Sequence, residues 1–464
     1  MTDVVPGLAY DHISRLQETF GGEVITPDDD GYDDARRVWN ARFDRRPAIL
    51  VRPTSVEEVA AAIRFGREHE LEIAVRAGAH SNAGHSTTDG GLVIDLSRLR
   101  GITVDPERRI ARVGGGALLG ELDIAAQAYG LVCPVGVVGH TGVAGLTLCG
   151  GIGRLQRNFG LTIDNLRAVE LVTADGRTVR ASESEEPELF WGIRGAGPNF
   201  GTVTSLEFDL HEFGPLLHRG LRIYPASAVH EVWAMVRDYA ARAPDEVSLI
   251  LSIGRAEPVE DYPESVAGQP IVVVAYNHSG DAASVERDVA PLSLGPEPVS
   301  ISDGSQQYLE VQTSGDLAMG WGSRSYILGA YANDCSPEAL DALVQHVSTG
   351  SGESSFSITV QGGAIGHVSD DAMAFTGRDA WFDMSASADW ADPSQDDFQH
   401  RWVRRAMAIV EPNAVTGRYA NEIGDSGPEV SRAIYGDAKM ARLRALKRAW
   451  DPDNVFHLNH NIAP

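Results

Sequence analysis

Arg76-Ala77-Gly78-Ala79-His80-Ser81 follows an apolar run that reads as a strand, and it carries a histidine to the end of a small-residue loop. About sixty residues on, a second such loop runs Thr141-Gly142-Val143-Ala144-Gly145-Leu146-Thr147-Leu148-Cys149-Gly150-Gly151-Ile152-Gly153. Loops of this kind let backbone N–H groups converge on an anion such as a pyrophosphate. A single glycine loop is a weak sign. His80 adds chemistry, because a neutral imidazole nitrogen is nucleophilic near neutral pH. The plainer alternative is a histidine that only hydrogen-bonds within its loop. The closing residues Leu458-Asn459-His460-Asn461-Ile462 bring two more amides and another imidazole.

These loops need rigid elements on either side. Ala48–Val51 reads as a short strand, and Ser55 with Glu58 has capping-box spacing ahead of Val56, Val59, Ala60 and Ile63 at helical intervals. Leu71–Val75 is the strand that delivers the His80 loop; Leu92–Leu96 and Ile110–Val113 are further strands. Leu118, Leu122, Ala126 and Tyr129 mark a helix that Gly130 terminates. Val169–Val172 and Thr178–Val179 flank an Asp175-Gly176 turn as a hairpin, and Leu206–Leu210 is a strand before a connector at 211–215. From Leu216 the pattern changes. Strands are expected at Val247–Ile253, Ile271–Ala275, Ser325–Leu328, Ser357–Val360 and Ala380–Ser385, with helices at Val229–Ala240, Pro337–Val347 and Asp396–Val410. Strands with covering helices suggest an α+β layer.

The gross composition bounds the function. A chain of 464 residues with 43% hydrophobic content can build more than one core. A net charge of -26 argues against nucleic acid and anionic membranes as partners. No apolar run approaches the ~20 residues of a membrane span. Met1–Gln17 lacks a basic region followed by an apolar stretch, which points to a cytoplasmic protein without a secretory signal. Three scattered cysteines, Cys133, Cys149 and Cys335, support neither a disulfide framework nor a zinc site. His80 and His85 lack the carboxylate or cysteine that would complete a metal set. The Cys149–Gly153 run mimics a Rossmann fingerprint, yet no acidic residue closes a ~30-residue βαβ unit, so a nicotinamide-dependent dehydrogenase fits poorly.

Taken together, the two loops and the C-terminal motifs resemble the berberine-bridge-enzyme-like FAD-linked oxidases, over nearly the whole chain. The motifs that carry the likeness include Gly142–Gly145, Gly150, Gly151 and Gly153, and also Gly160–Leu166 and Arg194–Gly201. Tyr419-Ala420-Asn421, Arg442–Asn454 and Val455–Pro464 extend it to the C-terminal end. Ala79, Cys149 and Pro198 stand where the family usually has glycine. If position 79 needs φ > 0, its alanine carries strain of ~1 kcal/mol or more. The resemblance implies an α+β fold of the PCMH and vanillyl-alcohol-oxidase type. It would have a two-part FAD-binding domain (1–213 and 415–464) and an inserted α+β substrate domain (214–414), an antiparallel sheet covered by helices.

By the same resemblance, FAD is expected to be bound covalently through His80. Its neighbours would be Arg76, Ala77, Gly78, Ala79, Ser81, Thr141, Gly142, Gly145, Leu146, Gly150, Gly151, Gly153, Asn199, Val203, Tyr419, Asn421, Asn459 and Asn461. Relatives with a second, cysteinyl bond carry that cysteine where Val138 stands here; Cys133 lies too far upstream, so a single bond is implied. Thr141 either positions substrate or dioxygen, or is a loop cap, and His140 reaches the same cavity or lies on a surface loop. Members of the family take the substrate proton with a glutamate or tyrosine, and Tyr419 is the leading candidate for that catalytic base here, against the alternative of an ordinary core tyrosine. Tyr308, Gln361, His367 and Glu353 are weaker candidates near the substrate, and Gln361 can only orient a ligand.

The implied function is an FAD-dependent oxidase of a small, aromatic or polycyclic secondary metabolite, with dioxygen as reoxidant. The alternatives are an oxygenase acting on a polyketide-like substrate and a drug-sequestering flavoprotein. The expected assembly is a monomer or homodimer.

Overall fold

Ser55 begins the helix Val56–Glu68 as the spacing predicts. Its hydroxyl accepts the Glu58 N–H, and the Glu58 carboxylate accepts from Thr54 N at 2.7 Å. The computed structural model describes residues 10–256, 263–351 and 353–464. The helix Val56–Glu68 buries Val59, Ala60 and Ile63 against a four-stranded sheet. Its strands are Glu23–Ile25 (β1), Ile49–Arg52 (β2), Ile73–Arg76 (β3) and Leu92–Asp95 (β4), in the order β1-β2-β4-β3. β2 and β3 both run parallel to β4, buried on both faces. β3 ends at Arg76 and releases the His80 loop.

A second sheet is antiparallel. It holds Ile102–Asp105 (β5) and Ile110–Gly114 (β6); the next short strand, Leu131–Val132 (β7), stays outside it. Leu166–Val172 (β8), Thr178–Ser182 (β9) and Thr202–Asp209 (β10) complete it in the order β5-β6-β10-β8-β9. Gly176, at φ 80°, supplies the turn of the β8–β9 hairpin. The expected connector at 211–215 is instead partly a strand. His211–Glu212 (β11) pairs with β7, and the His211 ring stacks on Phe159 with centroids 4.5 Å apart. Between β6 and β8 the chain leaves the sheet for the glycine-rich excursion that includes the helix Val143–Leu148.

The third sheet has seven strands, all antiparallel. They are Leu216–Pro225 (β12), Val247–Arg255 (β13), Pro270–His278 (β14), Ser300–Gln307 (β15), Arg324–Ala332 (β16), Ser354–Val360 (β17) and Phe382–Trp390 (β18). Their order is β15-β12-β14-β13-β17-β18-β16. The helices Val229–Ala240, Pro337–Val347 and Asp396–Val410 lie where the periodicity predicts and cover one face. Alternation sorts the strands: Leu249, Leu251, Phe356, Ile358, Met384 and Ala386 face the helices. β12 and β15 were not expected. β15 carries Ser302, Asp303, Gly304 and Ser305 and has no apolar alternation, so only its pairing with β12 makes it a strand.

After Val410 the chain returns to the second sheet. The helix Pro428–Trp450, kinked at Gly436, puts Ile434, Tyr435, Met440 and Leu443 into that sheet's core. Among the described residues no helix is long and apolar enough to cross a membrane.

Candidate active site

Backbone meets backbone where the two loops cross. A Cβ on Gly78 would lie 2.3 Å from Gly142 N, and one on Gly142 would lie 2.6 Å from Gly78 N. Only glycine permits this approach. A Cβ on Gly145 would meet nothing within 4 Å, so its backbone is open to a ligand. These loops form one wall of a cleft with a cavity of about 570 Å³. Arg76 starts the first loop but spends its guanidinium on the protein, donating to Asp95 Oδ2 at 2.8 Å, to Arg37 O at 3.2 Å and to Ala35 O. Its work is to hold the loop.

Ala79 has φ 56°, the left-handed region, and is buried, so the strain expected of an alanine there is present. Trp39 N donates to its carbonyl at 3.1 Å. His80 follows with its ring stacked on Trp39, centroids 4.8 Å apart, and its Nε2 is 2.6 Å from His140 Nδ1. Burial, then the His140 ring, pushes the His80 pKa down to about 3. His80 is therefore neutral at pH 7, the form in which imidazole is a nucleophile. His85, the competing histidine, is turned to Ser426 Oγ at 2.9 Å.

The C-terminal residues reach the cleft because a buried lysine ties them down. Lys447 Nζ donates to Asn199 O at 2.9 Å, Phe456 O at 2.8 Å and Asp451 Oδ2 at 2.7 Å, in a cluster with no exposed side-chain surface on either charge. Asn199, Asn421, Asn459 and His460 all line the cleft. His460 Nε2 donates to Ala420 O at 2.9 Å, while His460 Nδ1 and Asn459 Oδ1 are buried without a partner. Buried polar atoms are rarely left so unless a ligand or water meets them. Open glycine backbone on one side and unpaired acceptors on the other fit a dinucleotide cofactor such as FAD.

Tyr419 lines the same cleft, and its hydroxyl oxygen accepts from Ile152 N at 3.2 Å and Asn421 Nδ2 at 3.0 Å. Burial holds its pKa well above the usual phenol range. Tyr419 is thus a protonated hydroxyl at neutral pH, suited to donating a hydrogen bond and not to removing a proton. Sequence reasoning missed Glu422, three residues on, which also lines the cleft. Burial pushes its carboxyl up to about 7, partly opposed by a hydrogen bond from Ser385. Asp383 lies behind it, raised by burial and by the Glu422 charge, with Asp383 Oδ1 and the Tyr331 hydroxyl both unpartnered. Burial and the neighbouring carboxyl thus both disfavour the charged form there. The available signal was an acidic residue immediately after Tyr-x-Asn.

The opposite wall is the open face of the seven-stranded sheet: Ser248, Asn277, Ser325, Thr359, Ser387 and Asp389. Each alternates with a residue that packs on the helices, so none stands out in sequence.

Arg76, Ala77, Gly78, Ala79, His80, Ser81, Thr141, Gly142, Gly145, Leu146, Gly153, Asn199, Tyr419, Asn421 and Asn459 all border the cleft. Four expected residues do not. Val203 sits in the hydrophobic core of the second sheet. Gly150 (φ 131°) and Gly151 (φ 89°) make a turn packed against Phe375 and Thr162. Asn461 is not among the lining residues, although its Oδ1, like that of Asn459, is buried without a partner. The weaker substrate-side candidates also lie elsewhere: Tyr308 donates to buried Asp123 at 3.1 Å, His367 and Glu353 are exposed, and Gln361 is buried outside the cleft. Cys133 is a core residue; Cys149 borders the cleft with its thiol pushed up to about 12 by burial. Val138 lines the cleft.

Two sequence families match this chain: one described as FAD binding domain over residues 47–182, and one described as berberine and berberine like over 418–463. The (R)-6-hydroxynicotine oxidase of Paenarthrobacter nicotinovorans is 32% identical over 462 residues, spanning 96% of this chain and 97% of its own. The crystal structure of 6-hydroxy-D-nicotine oxidase from Arthrobacter nicotinovorans matches with a TM-score of 0.83 at 29% identity, covering 96% and 98% of the two chains. BBE-like 1 of Physcomitrella patens shares the fold, with a TM-score of 0.87 at 24% identity over 97% and 99% of the chains.

Proposed function

This chain belongs to the berberine-bridge-enzyme-like FAD-linked oxidoreductases, and from that premise we propose that it oxidises a small, aromatic or polycyclic secondary metabolite with its flavin linked to His80. The observation that carries the reading is one cleft holding a neutral His80, open glycine backbone, and a carboxyl poised near pH 7. When bound, FAD accepts two electrons from the substrate and passes them to dioxygen. The residues of this chain supply the rest. Glu422 takes the substrate proton, because a base is most effective with a pKa near the working pH. Tyr419 and Thr141 orient the reacting group, Tyr419 through its remaining O–H. Ser248, Thr359, Ser387 and Asp389 hold the polar groups of the substrate, and Ile250, Ile327 and Met319 its apolar body.

A panel of aromatic alcohols, amines and polyketide-like phenols, screened for peroxide release, tests the oxidase reading. One peroxide per substrate oxidised is expected; oxygen incorporated into product, or binding without turnover, overturns it. The linkage has its own test. Flavin is expected to stay with acid-precipitated protein, and digestion to place it on the His80 peptide alone. Flavin that washes out, or a cross-link to the Cys133 peptide, overturns it.

A further inference from the structure

His140 Nε2 lies 3.3 Å from the carbonyl oxygen of Asp316, and the same Asp316 receives Gly139 N on its Oδ1 at 2.7 Å. A carbonyl only accepts, so His140 Nε2 carries the hydrogen and His140 Nδ1 is left to take the acceptor's part. That nitrogen is 2.6 Å from His80 Nε2, which must donate. His80, neutral as its depressed pKa requires, is left with its free lone pair on Nδ1. The Trp39 stack holds the ring plane while this chain of bonds decides which nitrogen is nucleophilic. Asp316 belongs to the segment between the helix Tyr308–Thr313 and β16, so a connection of the seven-stranded sheet reaches a histidine pair at the cofactor loops.

We propose that His140 is the positioning residue for flavin attachment, selecting the His80 tautomer and accepting the proton released as the bond forms. The proposal rests on the reading that His80 carries the flavin. In the attachment, a C–H bond of the flavin 8α-methyl breaks and a bond from His80 Nδ1 to that carbon forms. The methyl proton goes to solvent and the His80 Nε2 proton to His140 Nδ1. The two electrons left on the flavin pass to dioxygen, which departs with two protons as hydrogen peroxide.

Full-length apoprotein from riboflavin-limited cells, mixed with FAD in air, gives the time course of acid-precipitable flavin. His140→Ala is expected to slow attachment at least tenfold while FAD still binds and is released by acid, and added imidazole to restore part of the rate. His140→Asn keeps an acceptor oxygen but cannot retain the proton, and is expected to fall between. Either variant attaching at the wild-type rate overturns the proposal. Wild-type protein with no acid-stable flavin instead overturns the linkage itself. Should the variants fail to hold FAD, the wild-type holoenzyme decides: magnetic resonance of the digested His80 peptide is expected to show the flavin on Nδ1, and a bond to Nε2 sinks the relay.

Discussion

On one wall of the cleft, Gly78 and Gly142 bring two loops backbone to backbone; on the other, Ser248, Thr359, Ser387 and Asp389 present side chains from three strands of one sheet. The first wall is made by removing side chains, so its residues cannot vary without moving the chain. The second is made by side chains that stand on a rigid sheet and can change singly. A cofactor common to a whole family suits the first construction, and a substrate that differs between members suits the second.

If this division holds, changes on the loop wall should alter flavin content or linkage, and changes on the sheet wall only turnover. The largest effect belongs to His80→Ala, which should abolish acid-stable flavin altogether while leaving acid-releasable FAD. Retained acid-stable flavin there would place the link elsewhere. Glu422→Gln comes next: with flavin content normal, anaerobic flavin reduction by the substrate should fall about 10²-fold or more. In wild type that rate should rise with pH up to about 7, as the carboxyl loses its proton, and then level off. The rising limb should vanish in the variant; a persisting limb would assign the titration to another group.

Smaller still is Asp389→Asn or Ser387→Val. Each should raise KM by several-fold to about tenfold, the worth of one hydrogen bond to a substrate, with an unchanged flavin spectrum. A spectral change would show that the sheet wall also shapes the flavin environment. Asp123→Asn should leave flavin and kinetics alone and act on stability only. Buried Asp123 accepts from Tyr308 and Gln312, and burial pushes its pKa up to about 7. The unfolded carboxyl titrates near 4, so between about pH 4 and 7 the folded state binds the extra proton and wild-type stability falls as pH rises. The asparagine variant should melt with a flatter pH dependence over that window, which calorimetry would read directly.

How much was legible follows the same division. The loop wall could be read because a close backbone approach forces glycine at adjoining positions, and a neighbouring histidine then stands out. Three sheet-covering helices were also read correctly, since each repeats its apolar residues at helical intervals. Glu422 was not, because its chemistry depends on Asp383 and Ser385 from a strand some forty residues earlier. Tyr419 was singled out as a base, whereas burial in the fold keeps its phenol protonated. Two N–H donors and full burial around one hydroxyl are properties of the folded surroundings, not of the Tyr-x-Asn motif. Val203, by contrast, lies on a strand whose alternation turns it into the core.

Asn82 Nδ2 donates to Asn421 O at 2.8 Å across 339 residues of chain. During synthesis at roughly 5–20 residues per second, on the order of 20–70 s separate the two halves of that bond. The His80 loop therefore leaves the ribosome long before the amides that complete its cleft exist. A nascent chain can fold its first sheet early, yet it cannot close on FAD until residues 419–460 have emerged and docked. Flavin loading thus waits on the end of synthesis, because a chain that stops before Tyr419 lacks the amides that complete the cleft.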